Sequence, residues 1–130
     1  MNEHELAINN IKNSIYKFDK KAELYSNFIY NIKKKGRCEI DLLIYSKNNL
    51  FVFEIKSGTK EEKARKQLKF HKIQLVNLKY NLAMKYRFQF ENIKFFWIPL
   101  KYNLIVNIDN NEQIAFNPTF LENPLLFLLK

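Results

Sequence analysis

Glu39-Ile40-Asp41-Leu42-Leu43-Ile44-Tyr45 and Phe51-Val52-Phe53-Glu54-Ile55-Lys56 are two strand-like runs, and the fold turns on how they are read. Between them lies Ser46-Lys47-Asn48-Asn49-Leu50, whose polar core is a turn signal between apolar segments. Strand alternation puts Glu54 and Lys56 on the same face, with Val52 and Ile55 on opposite faces. Paired as a hairpin, the two runs bring Asp41 beside Glu54, with Lys56 one step further on. Two carboxylates that close, on strands this apolar, repel each other and are costly to desolvate. A divalent cation removes that cost, and hard oxygen ligands suit Mg²⁺ or Mn²⁺. The plainer alternative is a surface salt bridge at the open face of a sheet. Against it, the acids interrupt runs that are otherwise Leu, Ile, Phe and Val.

Outward from this hairpin the pattern is one α/β domain over residues 1–130, with no repeat and no linker. Residues 3–18 read as a helix with an apolar stripe of Leu6, Ile8, Ile11 and Ile15. Residues 23–32 read as a strand, and Lys33-Lys34-Lys35-Gly36-Arg37 as a basic turn feeding the Asp41 strand. That turn is either a phosphate contact or a solvated hairpin tip. After Lys56 comes a Ser57-Gly58-Thr59 loop, with Thr59 as N-cap and Glu61 and Glu62 in the first turn of a helix over 60–86. Ala64, Leu68, Leu75, Leu78 and Leu82 fall on one face of that helix, which is expected to cover the sheet. His71 lies inside the stripe and reads as a core residue. Gln67, about two turns after the loop, either borders the core or turns its amide to a phosphate or an attacking water. The opposite flank carries Arg65, Lys69, Lys72 and Lys79, which can track a nucleic-acid backbone or simply be solvated. Residues 93–98 and 103–108 read as two further strands that complete the sheet, with Trp97 in its core. Asn117-Pro118 opens a helical turn.

Composition narrows the function classes. Twenty-two Lys and Arg against 13 Asp and Glu give a formal charge of +9, the balance of a nucleic-acid binder. An acidic pocket inside a basic chain strengthens that reading, because a metal site that works on phosphate needs basic flanks. Cys38 is the single cysteine, so there is no disulfide framework and no cysteine cluster for zinc. Residues 1–5 have neither a basic leader nor an apolar run, and no stretch approaches the ~20 apolar residues of a membrane span. A cytoplasmic protein without membrane attachment is expected. No Gly-rich phosphate loop or Ser-His-Asp order is present.

Asp41 followed by Glu54-Ile55-Lys56 on the next strand resembles the PD-(D/E)XK nuclease superfamily. Residues 36–44, Gly-Arg-Cys-Glu-Ile-Asp-Leu-Leu-Ile, are similar to that family's first motif strand, with Ile40 where its nominal Pro would stand. Gln67-Leu68-Lys69-Phe70-His71 is similar to the Gln-x-x-x-Tyr helix of recombination-type exonucleases, with His in place of Tyr. The resemblance covers roughly residues 3–75. It implies a restriction-endonuclease-like core, a central mixed β-sheet flanked by helices. It also implies a Mg²⁺ (or Mn²⁺) site on Asp41, Glu54 and the Ile55 carbonyl, with Lys56 acting on the water or the phosphate. Glu5 would complete the site from the first helix, with Glu39 as its competitor, and Gln67 would assist. The implied activity is metal-dependent hydrolysis of phosphodiesters, in DNA, by an endonuclease rather than an exonuclease. Lys33, Lys34, Lys35, Arg37, Arg65 and Lys69 are the expected nucleic-acid contacts. A non-catalytic nucleic-acid-binding module on the same fold is the alternative. Small members of the superfamily that the chain resembles, such as archaeal Holliday-junction resolvases, act as homodimers. The apolar tail Pro124-Leu125-Leu126-Phe127-Leu128-Leu129 suits such a two-fold interface, or else closes the core beside the Trp97 strand.

Overall fold

Helix α1 (Glu3–Phe18) starts where the sequence supplies a cap: the Asn2 side chain accepts a hydrogen bond from the Glu5 N–H at 2.8 Å. Glu3 and Glu5 lie in its first turn and Lys17 in its last, each favourable to the helix dipole. Ala7, Ile11, Ser14 and Ile15 are buried, a stripe at helical spacing. The computed structural model describes residues 2–58 and 60–130, so the expected capping role of Thr59 lies outside the described residues.

Three consecutive strands follow: β1 (Glu23–Ile32), β2 (Gly36–Ser46) and β3 (Asn49–Lys56). Each pairs antiparallel with the next. The β2–β3 connection is tighter than its polar run suggests. Ser46 pairs with Asn49, and only Lys47 and Asn48 turn, both at positive φ (50° and 62°). Two left-handed residues make a turn whose twist matches that of the flanking strands. The β1–β2 ladder steps from Ser26 opposite Leu42 to Phe28 opposite Ile40, passing over Asn27 and Asp41. Asn27 is left-handed there (φ 52°). Ile40 and Leu43, three residues apart, pack into the same cluster, so β2 changes face at Asp41.

Strand β3 is buried from Asn49 to Ile55 and runs through the middle of the molecule. Its neighbour β4 (Asn92–Pro99) is parallel to it, which requires a crossover. That crossover is two helices, α2 (Glu61–Asn77) and α3 (Lys79–Tyr86), where the sequence suggests one over 60–86. A straight helix of that length would run ~40 Å, against ~26 Å for a strand like β3. The chain therefore turns at Leu78 (φ −95°, ψ 8°) and comes back to start β4.

Strands β5 (Leu104–Asn107) and β6 (Gln113–Ala115) add on antiparallel, β6 being a strand the sequence did not announce. Among the described residues the six strands form one mixed sheet in the order β1-β2-β3-β4-β5-β6. One face packs on α2 and α3 through Leu43, Leu50, Val52, Leu68, Leu75, Phe88 and Phe95. The other packs on α1, a helical turn at Phe116–Phe120 and α4 (Pro124–Leu128), through Ile11, Ile15, Leu42, Phe53, Phe96 and Phe120. Asn117 is extended there (φ −128°, ψ 124°), so helical backbone begins at Pro118, as the sequence suggests, after a cis peptide bond. This is an α/β fold consistent with a restriction-endonuclease-like core.

Within the tail, Leu125, Phe127 and Leu128 are buried in the chain's own core, while Leu126 and Leu129 are exposed. The Lys94 ammonium donates to the carbonyls of Leu128 and Lys130 at 2.9 and 3.0 Å. The tail thus lies against the β4 strand, and most of its apolar surface is used within the chain. Among the described residues no helix is long and apolar enough to cross a membrane.

Candidate active site

The two carboxylates of the hairpin converge where β2 changes face and β3 ends. The β2–β3 register places Leu42 opposite Phe53; carried one step further, it sets Asp41 across from Glu54. Asp41 is half-buried, and its Oδ2 accepts the Ile55 backbone N–H at 2.8 Å. Glu54 is 2% exposed. Lys56 Nζ stands 3.5 Å from Glu54 Oε2. Glu54 and Lys56 share the face of β3 turned toward α2, as alternation requires.

Two histidines complete the surroundings. From α2, His71 Nε2 lies 3.3 Å from Glu54 Oε1, and its Nδ1 lies 2.6 Å from the Tyr30 hydroxyl of β1. A neutral imidazole satisfies both contacts, with Nε2–H donating to the carboxylate and Nδ1 accepting from the Tyr30 O–H. From α1, His4 Nε2 lies 3.0 Å from the Ile55 carbonyl oxygen and 3.4 Å from Asp41 Oδ2.

Burial is the largest influence on Glu54 and pushes its carboxyl above the usual range. The charge and hydrogen bonding of Asp41 push the same way, while the His71 hydrogen bond and Lys56 pull against them. The Tyr30 hydroxyl is raised too, first by burial and then by Cys38 and Glu54. A divalent cation fits these donors: two carboxylates and a backbone carbonyl are hard oxygens, and a cation offsets the repulsion that raises Glu54. Among the described residues no three His, Cys, Asp or Glu side chains form a metal-binding group, so a backbone oxygen would have to be part of the set.

The remaining candidates are placed less centrally. Glu5 is exposed and in hydrogen-bond contact with Asn2 at 3.5 Å, so the residue α1 presents to Asp41 is the preceding one, His4. His4 and Glu5 share a cleft of about 500 Å³ with Asn9, Ser26 and Asn27. Gln67 lines another, of about 360 Å³, with Cys38, Glu39, Phe70 and His71, and its Oε1 is buried without a partner. Lys33, Lys34, Lys35, Arg37 and Lys69 are exposed, with Lys35 Nζ 4.7 Å above the Phe70 ring. Arg65 is already engaged, at 2.9 Å to Glu61 and 2.9 Å to Asn111. The lysines that share a cleft of about 430 Å³ with Lys56 are Lys60 and Lys63, which sequence reasoning passed over. Their position just after the Lys56 loop, at the head of a helix, was the available signal.

The nuclease-related domain (NERD) family matches the chain over residues 2–111, a span that holds both carboxylates, Lys56 and both histidines. Comparison with curated proteins and with solved structures returns no match.

Proposed function

We propose a function from one premise: the chain belongs to the nuclease-related domain family. It is a metal-dependent endonuclease of PD-(D/E)XK type that hydrolyses phosphodiester bonds in DNA. The observation that carries this reading is the meeting of half-buried Asp41 with fully buried Glu54, whose Oε2 lies 3.5 Å from Lys56 Nζ. An acid pair kept on buried strands at a cost in repulsion is a poor structural device and a good seat for Mg²⁺ or Mn²⁺.

Asp41, Glu54 and the Ile55 carbonyl would hold the cation. When bound, it supplies Lewis-acid polarisation of the phosphodiester and acidifies the attacking water. Lys56 orients that water or meets the charge that builds on the phosphate oxygens. His71, donating to Glu54 and held in turn by Tyr30, fixes the orientation of the carboxylate. Lys60 and Lys63, together with the exposed lysines of the β1–β2 turn, give the DNA backbone positive charge to lie against.

Cleavage assays on linear, circular and single-stranded DNA with MgCl₂ test the reading. Asp41→Ala and Glu54→Ala should abolish cleavage yet keep most DNA binding, and Lys56→Ala should slow it ~10²–10⁴-fold. Parental turnover in Glu54→Ala would overturn the site. Binding without cleavage by the parent protein would leave a nucleic-acid-binding module.

A further inference from the structure

One strand over from the acid pair lies a cleft of about 290 Å³ that the proposed chemistry does not use. Trp97 and Pro99 of β4 line it, and they are the register partners of Glu54 and Lys56. Partners on neighbouring strands share a face and stand ~4.8 Å apart, so Trp97 lies on the same side of the sheet as Glu54. From α2 the cleft takes Glu61 and Arg65, and from the segment after β5 it takes Asn111. Arg65 donates from Nε to Glu61 and from Nη2 to Asn111 Oδ1, each at 2.9 Å. This bridge ties α2 to the β5–β6 turn and sets the polar groups in place. With its oxygen taken, Asn111 has its amide N–H₂ to offer a ligand. Trp97 is 5% exposed, and its Nε1 is buried with no hydrogen-bond partner among the described residues. A buried indole N–H ordinarily finds an acceptor, so this one marks a site that a ligand would complete. Tyr102, at the end of a short turn after β4, also lines the cleft and is 54% exposed. Its ring offers a flat aromatic face.

We infer that this cleft holds one unpaired nucleobase of the bound DNA, stacked on Tyr102 with its acceptors toward Trp97 and Asn111. The inference rests on the DNA-directed reading above and narrows its substrate to DNA with unpaired bases near the cut. The volume lies near the low end of the ~300–1,000 Å³ of small-molecule sites, which suits one ring system and excludes a duplex. A base inside a duplex is paired and stacked and must leave both arrangements to enter, whereas a base in a single strand leaves little behind. Every base has a π-face, so stacking on a tyrosine accepts any of the four. Lysines meet the backbone of paired and unpaired DNA alike, so discrimination between them falls to a group that reads bases.

Trp97 is the chain's single tryptophan, so its fluorescence reports on the cleft. The parent protein, in EDTA to prevent cleavage, is titrated with a single-stranded oligodeoxynucleotide, the same strand with abasic sugars throughout, and the duplex. Trp97 emission should be quenched by the single strand and unchanged by the other two. By anisotropy of labelled DNA, Tyr102→Ala should weaken the single strand about tenfold or more and the abasic strand and duplex less than about threefold. Tyr102→Phe keeps the ring and should bind all three as the parent does. Equal quenching by normal and abasic strands, or equal losses on all three ligands in Tyr102→Ala, overturns the cleft as a base site. If in that case the parent still cleaves DNA with MgCl₂ and Glu54→Ala does not, the nuclease reading stands without it. Base-dependent, Tyr102-dependent binding by a protein that cleaves nothing upholds the cleft and overturns the nuclease reading. A parent that binds no form of DNA overturns both.

Discussion

A carboxyl group that is 2% exposed, with Asp41 beside it and Lys56 3.5 Å away, can lower its energy by keeping a proton or by meeting a cation. Without metal, the raised pKa of Glu54 favours the proton. A folded value above the unfolded one (~4.3 for a glutamate) means that the stabilising contribution is fully present below the unfolded value. It is lost as pH rises through the folded value. Glu54→Gln mimics the protonated form and does not titrate. With chelator present its urea midpoint should exceed the parent's at neutral pH, and the gap should close toward pH 4. Excess Mg²⁺ should stabilise the parent by ~2.7 kcal/mol at a hundred times the dissociation constant and leave Glu54→Gln unchanged. Parallel pH curves for the two proteins would show that another group titrates. Glu54 and Lys56 were legible because alternation puts them on one face of one strand, whereas Asp41, where β2 changes face, needed the hairpin register as well. The partners His4 and His71 were not. Each comes from a helix whose rotation about its own axis is set by packing, so the pattern could not decide between Glu5 and His4. It placed His71 in the core without showing that the core there contains a carboxylate.

Among the elements, the β1–β2 hairpin is a long arm whose tip carries Lys33, Lys34 and Lys35, all exposed. Each phosphate neutralised steepens the dependence of log K on log salt by ~0.9 on duplex DNA. Replacing the three lysines with Ala, in an Asp41→Ala background to prevent cleavage, should flatten that slope by up to ~2.7. An unchanged slope would mean that the tip is solvated in the complex. Lys35 already spends part of its charge over the Phe70 ring, at 4.7 Å, which ties the tip to α2. The same hairpin shows where element boundaries were readable. The Ser-Lys-Asn-Asn run marked the β2–β3 turn, since Asn tolerates the left-handed backbone that such a turn needs. The break at Leu78 left no comparable mark: the apolar stripe continues from Leu75 through Leu82, and the sheet's dimensions rather than a local breaker end α2. Strand β6, only Gln113–Ala115, is too short to show a period.

At the scale of the whole molecule, the sheet is covered on both faces, and the family match ends at residue 111, before one cover is complete. Phe116, Phe120, Leu125, Phe127 and Leu128 lie beyond it and fill the space between the sheet and α1. Phe127 touches Phe96 and Phe120 at ring-centroid distances of 5.8 and 6.2 Å. Phe127→Ala should cost ~3–5 kcal/mol, a large share of the ~5–15 kcal/mol that holds a domain of this kind together. A urea midpoint unchanged by the substitution would show that the tail is not part of the cooperative core. Ser14 of α1 donates its hydroxyl hydrogen to the Leu121 carbonyl, joining segments 107 residues apart. That bond has a consequence for the order of synthesis. The helix that carries His4 is made before every strand of the sheet, yet the residue that accepts from Ser14 is made 107 codons after it. A nascent chain interrupted before Phe116 would hold its acids with no fixed helix above them, so the proposed cutting centre matures only after its messenger has been read through this stretch.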